Sequence, residues 1–137
     1  MYLLDTNVIS ELRRLRPHGA VLAWLRSVGD EDLHVSVVTI GEIQAGIEIT
    51  RENDQAKASE IETWLEQIAE TYNVRSMDAR TFRARARLMH RRSDHLIEDV
   101  MIAATAAVHN LTVVTRNVRD FRDLGVATLN PFGSKAG

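Results

Sequence analysis

The chain opens Met1-Tyr2-Leu3-Leu4-Asp5-Thr6-Asn7-Val8-Ile9-Ser10-Glu11, and this stretch decides the fold. Tyr2-Leu3-Leu4 is a short apolar run that stops at Asp5-Thr6-Asn7, residues that favour caps and turns. Val8, Ile9, Leu12 and Leu15 then recur at helical spacing. A buried strand therefore feeds a helix, with Asp5 at the strand's C-terminal end.

The same alternation continues downstream. Pro17 and Gly19 interrupt, and Val21, Leu22, Leu25 and Val28 suggest a second short helix. Residues 33–38 alternate and are β-branched, which predicts a strand. Thr39-Ile40-Gly41-Glu42 fits a capping box, with Thr39 as N-cap and Glu42 as its partner. Ile61, Trp64, Leu65, Ile68 and Tyr72 make the clearest amphipathic helix. Val74 to Met77 reads as a short strand, and Asp78 caps a helix running to about Arg92. Ala79, Phe82, Ala86 and Met89 form its expected buried face. Ser93-Asp94-His95 breaks the pattern. Residues 100–108 are small and apolar, a helix buried on most sides, and residues 111–114 and 126–129 read as strands. Strands alternating with helices predict an α/β fold, a mostly parallel sheet of four or five short strands flanked by helices. One domain spans residues 1–132, and residues 133–137 read as a flexible tail.

Composition narrows the function classes. The 137 residues contain no cysteine, which removes disulfides, zinc–thiolate sites and cysteine nucleophiles. No apolar run approaches the ~20 residues of a membrane span, and the N-terminus lacks a basic region ahead of Asp5, so a cytoplasmic protein is expected. Net charge is −2, against a purely electrostatic nucleic-acid binder, yet fifteen arginines face two lysines, Lys57 and Lys135. Arginine presents a planar fork suited to phosphate; the bias equally suits a GC-rich genome.

Ligands of open α/β sheets bind beyond the strands' C-terminal ends. Asp5 falls there, as do Glu42 after the second strand and Thr115, Arg116 and Asn117 after the fourth. Asp99 stands at the entry to the apolar helix. Each has a structural role open to it: Asp5 as a helix cap, Glu42 as a capping-box partner, Asp99 as complement to a helix dipole, and Asn117 and Asp120 as turn residues. Together, clustered carboxylates titrate upward unless a cation neutralises them, and hard oxygen donors point to Mg²⁺ or Mn²⁺.

Four blocks then carry a family resemblance. Leu3-Leu4-Asp5-Thr6-Asn7-Val8-Ile9-Ser10-Glu11 resembles the opening of PIN-domain proteins, especially VapC/FitB-type toxins of toxin–antitoxin pairs. Ser36-Val37-Val38-Thr39-Ile40-Gly41-Glu42-Ile43-Gln44-Ala45-Gly46 resembles the second block and Asp99-Val100-Met101-Ile102-Ala103-Ala104-Thr105-Ala106 the third. Val113-Val114-Thr115-Arg116-Asn117-Val118-Arg119-Asp120-Phe121 resembles the fourth, and Asn130-Pro131-Phe132 the usual ending. The resemblance spans nearly the whole chain.

It implies a metal-dependent endoribonuclease toxin of a type II system, cutting tRNA or another structured RNA and leaving a 5′-phosphate. Asp5, Glu42, Asp99 and Asn117 match the family's catalytic positions. The fourth is an amide here, and Asp120 three residues on is its alternative. Asp5 and Asp99 would hold Mg²⁺ (or Mn²⁺), a second ion would arrive with substrate, and Glu42 would position the attacking water or bind an ion through water. Thr6 and Thr115 resemble hydroxyls that steady the ligands. Implied partners are a cognate antitoxin, whose C-terminal segment would block the acidic site, a second copy in a homodimer, and a possible larger assembly.

Residues 79–93 carry six arginines and no acid. Arg80, Arg83, Arg87 and Arg91 share one helical stripe, an expected RNA-backbone surface. The competing function is a PIN-like module that binds RNA or protein without cutting. A receiver-type phosphoacceptor would want a lysine near the strand ends. An aspartyl-nucleophile phosphatase would want an Asp where Asn7 stands.

Overall fold

A computed structural model describes residues 1–92 and 97–133. The Ser93-Asp94-His95 break and the tail beyond Gly133 lie outside the described residues. The first strand, β1 (Tyr2–Leu4), is the sheet's centre. It pairs in parallel with β2 (Leu33–Ser36) on one side and β4 (Thr112–Val114) on the other. β3 (Asn73–Arg75) extends the sheet beyond β2, and β5 (Thr128–Leu129) beyond β4. The order β3-β2-β1-β4-β5 is all-parallel and reverses at β1, so the crevice a doubly wound sheet offers to ligands opens after Leu4 and Val114.

Period-two geometry sends Leu3 and Leu4 to opposite faces. Leu3 joins Val113, Val100, Ile102, Ala103, Ala106 and Phe121 in one cluster. Leu4 joins Val114, Val35, Leu33, Val8, Ile9, Val21, Leu25 and Ile68 in the other. Both faces are covered, as a parallel sheet requires. The helices are α1 (Thr6–Ile9), α2 (Gly19–Ser27), α3 (Val37–Arg51), α4 (Gln55–Thr71), α5 (Ala79–Met89), α6 (Ile97–His109) and α7 (Val118–Arg122). Small residues of α6, Ala103, Ala104 and Ala106, are fully buried and let it lie close to the sheet. No described helix is long and apolar enough to cross a membrane.

Four local expectations are corrected. The helix after Asp5 lasts one turn and becomes a 3-10 turn at Ser10–Arg13, leaving Leu15 fully exposed. Glu11 takes the backbone N–H of His18 (2.9 Å) and the guanidinium of Arg14 (2.9 Å), and Pro17 disfavours helix in the residue before it. Second, the cap of α3 is Ser36, whose Oγ accepts the Val38 N–H at 3.0 Å, so Thr39 lies inside the helix and the expected capping box does not form. Third, α5 buries Thr81 and Ala84 against α6, while Ala79, Phe82 and Ala86 are exposed. Thr81 can be buried because Asp78 accepts both its N–H (3.0 Å) and its hydroxyl (2.9 Å). Fourth, α5 ends at Met89, and Arg91 (φ +66°) lies past it, off the helical stripe.

Candidate active site

Asp5 leaves β1 in extended conformation and caps α1, its Oδ1 accepting the Thr6 N–H at 2.8 Å. The other oxygen, Oδ2, accepts the Thr115 hydroxyl at 2.8 Å and the Asn7 side-chain amide at 3.4 Å. The carboxyl is buried, and desolvation pushes its pKa above the ordinary range, only partly offset by the bonds from Thr115 and Thr6. A cap alone would use one oxygen and sit at the surface.

Glu42 lies in the second turn of α3 and reaches back to the first helix: Thr6 Oγ1 donates to its Oε1 at 3.0 Å and lies 3.3 Å from the hydroxyl of buried Thr39. Thr6 thus joins Asp5, through its backbone, to Glu42, through its hydroxyl. Burial chiefly raises the Glu42 pKa, to about 7; the bond from Thr6 works against that, and the carboxyls of Glu98 and Asp5 add to it.

Glu98 was not singled out by the sequence reading, yet its carboxyl lies close enough to Glu42 to help raise that residue's pKa. It precedes Asp99 in the first turn of α6, where Asp99 is half-buried and α6 packs against α3. The sequence signal was adjacency: two acids side by side at the start of an otherwise apolar helix. Asn7 was missed as well. Its amide bonds Asp5 and Thr115 (both 3.4 Å), and its Oδ1 accepts the Arg116 N–H at 3.2 Å, tying the ends of β1 and β4 together.

Asn117 is tied in by its backbone N–H, which donates to Thr115 Oγ1 at 2.9 Å, while its exposed side chain lines a hollow on the α7 side. Asp120 sits on α7 and lines the same hollow. Arg80, Arg83 and Arg87 are exposed along α5, as is Arg91 beyond its end. On the opposite side, a groove of about 390 Å³ runs from Thr6 and Glu42 between α3 and α4, floored by Ile43, Ile47, Ile61 and Trp64.

Among the described residues, no three acidic or histidine side chains converge on one point; the carboxyl contacts are pairwise. In donor chemistry the set fits a hard divalent cation. It offers carboxylate and hydroxyl oxygens, and burial, with the neighbouring carboxyls of Glu98 and Asp5 adding to it, raises one carboxyl to about 7, a cost a bound cation would relieve.

Comparison with known proteins agrees with this geometry. The PIN domain family profile matches residues 2–127. Toxin FitB of Neisseria gonorrhoeae is 36% identical, over 96% of this chain and 99% of its own. VapC ribonuclease Y4jK of Sinorhizobium fredii is 34% identical, over 96% and 98%. The crystal structure of FitAcB from Neisseria gonorrhoeae superposes with a TM-score of 0.86 at 34% identity, covering 98% of this chain and all of that one. A toxin–antitoxin complex from Klebsiella pneumoniae shares the fold at 22% identity, with a TM-score of 0.72. With a five-stranded parallel sheet, acids at its switch point and full-length similarity, this chain belongs to the PIN-domain family, among the VapC/FitB-type ribonuclease toxins of toxin–antitoxin systems.

Proposed function

We propose that this protein is the toxin of a type II pair and a cytoplasmic, Mg²⁺- or Mn²⁺-dependent endoribonuclease that leaves 5′-phosphate ends on tRNA or another structured RNA. The carrying observation is the chain of hydrogen bonds Thr115–Asp5–Thr6–Glu42, with the Glu98 carboxyl near enough to raise the Glu42 pKa, an arrangement that gathers acids from three elements at the sheet's switch point.

In this reading Asp5 and Asp99 hold the ion, and a bound divalent cation supplies Lewis acidity for hydrolysis. Thr115 and Asn7 fix the rotamer of Asp5, so its carboxylate is preset and loses little freedom on engaging substrate. Glu42, with a pKa near 7, orients the attacking water and can accept its proton. Asn117 occupies the fourth position as a neutral amide. The exposed arginines Arg80, Arg83, Arg87 and Arg91 contact the RNA backbone; among the described residues no acid lies within ion-pair distance of them, and Asp78 neighbours Arg80.

The partner proposed is a cognate antitoxin whose C-terminal segment lies in the apolar groove between α3 and α4 and sets a basic side chain against Glu42 and Asp5. The toxin is proposed to act as a homodimer, within a larger assembly when the antitoxin is bound.

Pulsed expression in a bacterial host, wild type beside Asp5→Asn, with sequencing of RNA 5′-phosphate ends, tests the activity. Growth arrest with discrete new ends from the wild type alone is expected. Equal, harmless expression of two folded proteins would favour a binding module instead.

A further inference from the structure

The carboxylates create a problem for the substrate. RNA is a polyanion, and Asp5, Glu42, Glu98 and Asp99 present it with negative charge at the point where it must be held. Close approach needs fixed positive charge beside the acids as well as an ion among them. The arginines of α5 belong to another element.

Following β4, and tied to Asp5 through Thr115 and Asn7, lies a hollow of about 450 Å³ lined by Arg116, Asn117, Val118, Arg119, Asp120 and Arg122. Three guanidinium groups and one carboxylate border it. Its position relative to Asp5 is fixed through two routes. Asn117 N–H donates to Thr115 Oγ1 (2.9 Å), which donates to Asp5 Oδ2 (2.8 Å). Arg116 N–H donates to Asn7 Oδ1 (3.2 Å), whose amide also reaches Asp5 Oδ2 (3.4 Å).

Arg116 is also held at its far end. Its guanidinium stacks over the Phe132 ring, 3.9 Å from the centroid, and lies 4.0 Å from the buried carboxylate of Glu11. Half of the side chain remains exposed, so the edge not used in stacking is open to a ligand. Glu11 is itself well satisfied by the His18 N–H and Arg14, so Arg116 orients against it without being consumed by it. Among the described residues, Arg119 and Arg122 have no acid within ion-pair distance and are exposed. A planar fork held flat on an aromatic ring, with two unpaired arginines nearby, suits the oxygens of a phosphodiester.

We propose that the hollow formed by Arg116, Arg119 and Arg122 binds a backbone phosphate of the RNA flanking the scissile bond and sets the strand's register against Asp5. This rests on the ribonuclease reading above and adds a substrate subsite to it.

The test uses the full-length protein, a fluorescein-labelled oligouridylate for binding and purified bacterial tRNA for cleavage. Binding is followed by anisotropy in an Asp5→Asn background, which cannot cut. Cleavage is followed with Asp5 intact. Arg119→Gln/Arg122→Gln leaves the Arg116 stack untouched and keeps the fold; Arg116→Gln is added to it, and Arg116→Lys retains the charge without the fork. The double variant is expected to bind about 10-fold more weakly, with a log-affinity against log-salt slope shallower by about 0.7 per lost contact. KM is expected to rise with kcat within about twofold, the mark of a binding contact rather than a chemical one. Arg116→Lys is expected to fall between wild type and Arg116→Gln. Unchanged affinity and salt slope in folded double and triple variants, beside a wild type that cleaves, would overturn the hollow and leave the ribonuclease reading standing. A wild type that neither binds nor cleaves RNA would overturn the ribonuclease reading, and the hollow with it.

Discussion

The hydroxyl of Thr115 donates to Asp5 Oδ2 at 2.8 Å, joining two residues 110 positions apart at the C-terminal ends of adjacent parallel strands. The β1–β4 register, Leu4 opposite Val114, makes this contact inevitable once the strands pair. Both residues are buried, so the bond is sheltered from water. Thr115→Val keeps the shape and removes the donor to Asp5 and the acceptor for Asn117. It should cost about 1–2 kcal/mol in thermal or urea denaturation and slow RNA cleavage about 10-fold or more, whereas Thr115→Ser should keep most of both. Equal activity of the valine variant would remove Thr115 from the site.

Asp5→Asn separates charge from structure. Asparagine is a good N-cap, so α1 keeps its start, and the buried carboxyl that burial disfavours is gone. The amide cannot accept from the Thr115 hydroxyl or the Asn7 amide as Oδ2 does, and this loss offsets the relief of burial, so the metal-free variant should stay folded and melt close to wild type. It should lose cleavage by about 100-fold or more and lose the rise in melting temperature that Mg²⁺ or Mn²⁺ gives the wild type.

The raised Glu42 pKa carries a pH signature. In the folded chain Glu42 binds a proton up to about pH 7, and the unfolded chain releases it near the ordinary 4.5. Between those values the folded state holds more protons, so its stability falls as pH rises through the window. The group is half-exposed, and solvent screening reduces the effect to about 1–2 kcal/mol. In EDTA, wild type should lose that much stability relative to Glu42→Gln between pH 4.5 and pH 7.5. A difference between the two proteins that does not vary with pH would contradict the assignment.

The α3 cap gives a purely structural test. Ser36→Ala removes the acceptor for the Val38 N–H and should cost about 1 kcal/mol in denaturant unfolding. Had Thr39 been the cap, Ser36→Ala would cost little.

Asp5 was legible because a three-residue apolar strand, a cap residue and a helical pattern converge on one position. The small-residue run after Asp99 was equally direct, since Ala103, Ala104 and Ala106 are apolar on every side and admit only a buried helix. The α5 face was not legible. Its sequence holds two arcs, and the larger one, with Phe82, faces solvent because Asp78 makes the polar Thr81 cheap to bury. Glu42 was found, but the reason for its place was not. It bonds Thr6 rather than completing a cap with Thr39, with the Glu98 carboxyl nearby, and such long-range neighbours follow from strand order, which local spacing does not encode. The cationic hollow escaped notice for a related cause. Arg116, Arg119 and Arg122 are spaced three apart on a turn and a five-residue helix, with Asp120 between them and Asp123 after, so no charge run marks them.

The most direct test of the central claim is cleavage of purified bacterial RNA by the purified protein, read as 5′-phosphate ends, with Mg²⁺ or Mn²⁺ and with EDTA, for wild type and Asp5→Asn. Discrete 5′-phosphate ends from wild type with the metal alone are predicted. The same ends from Asp5→Asn or in EDTA, or no ends from a folded wild type with either metal, would contradict it.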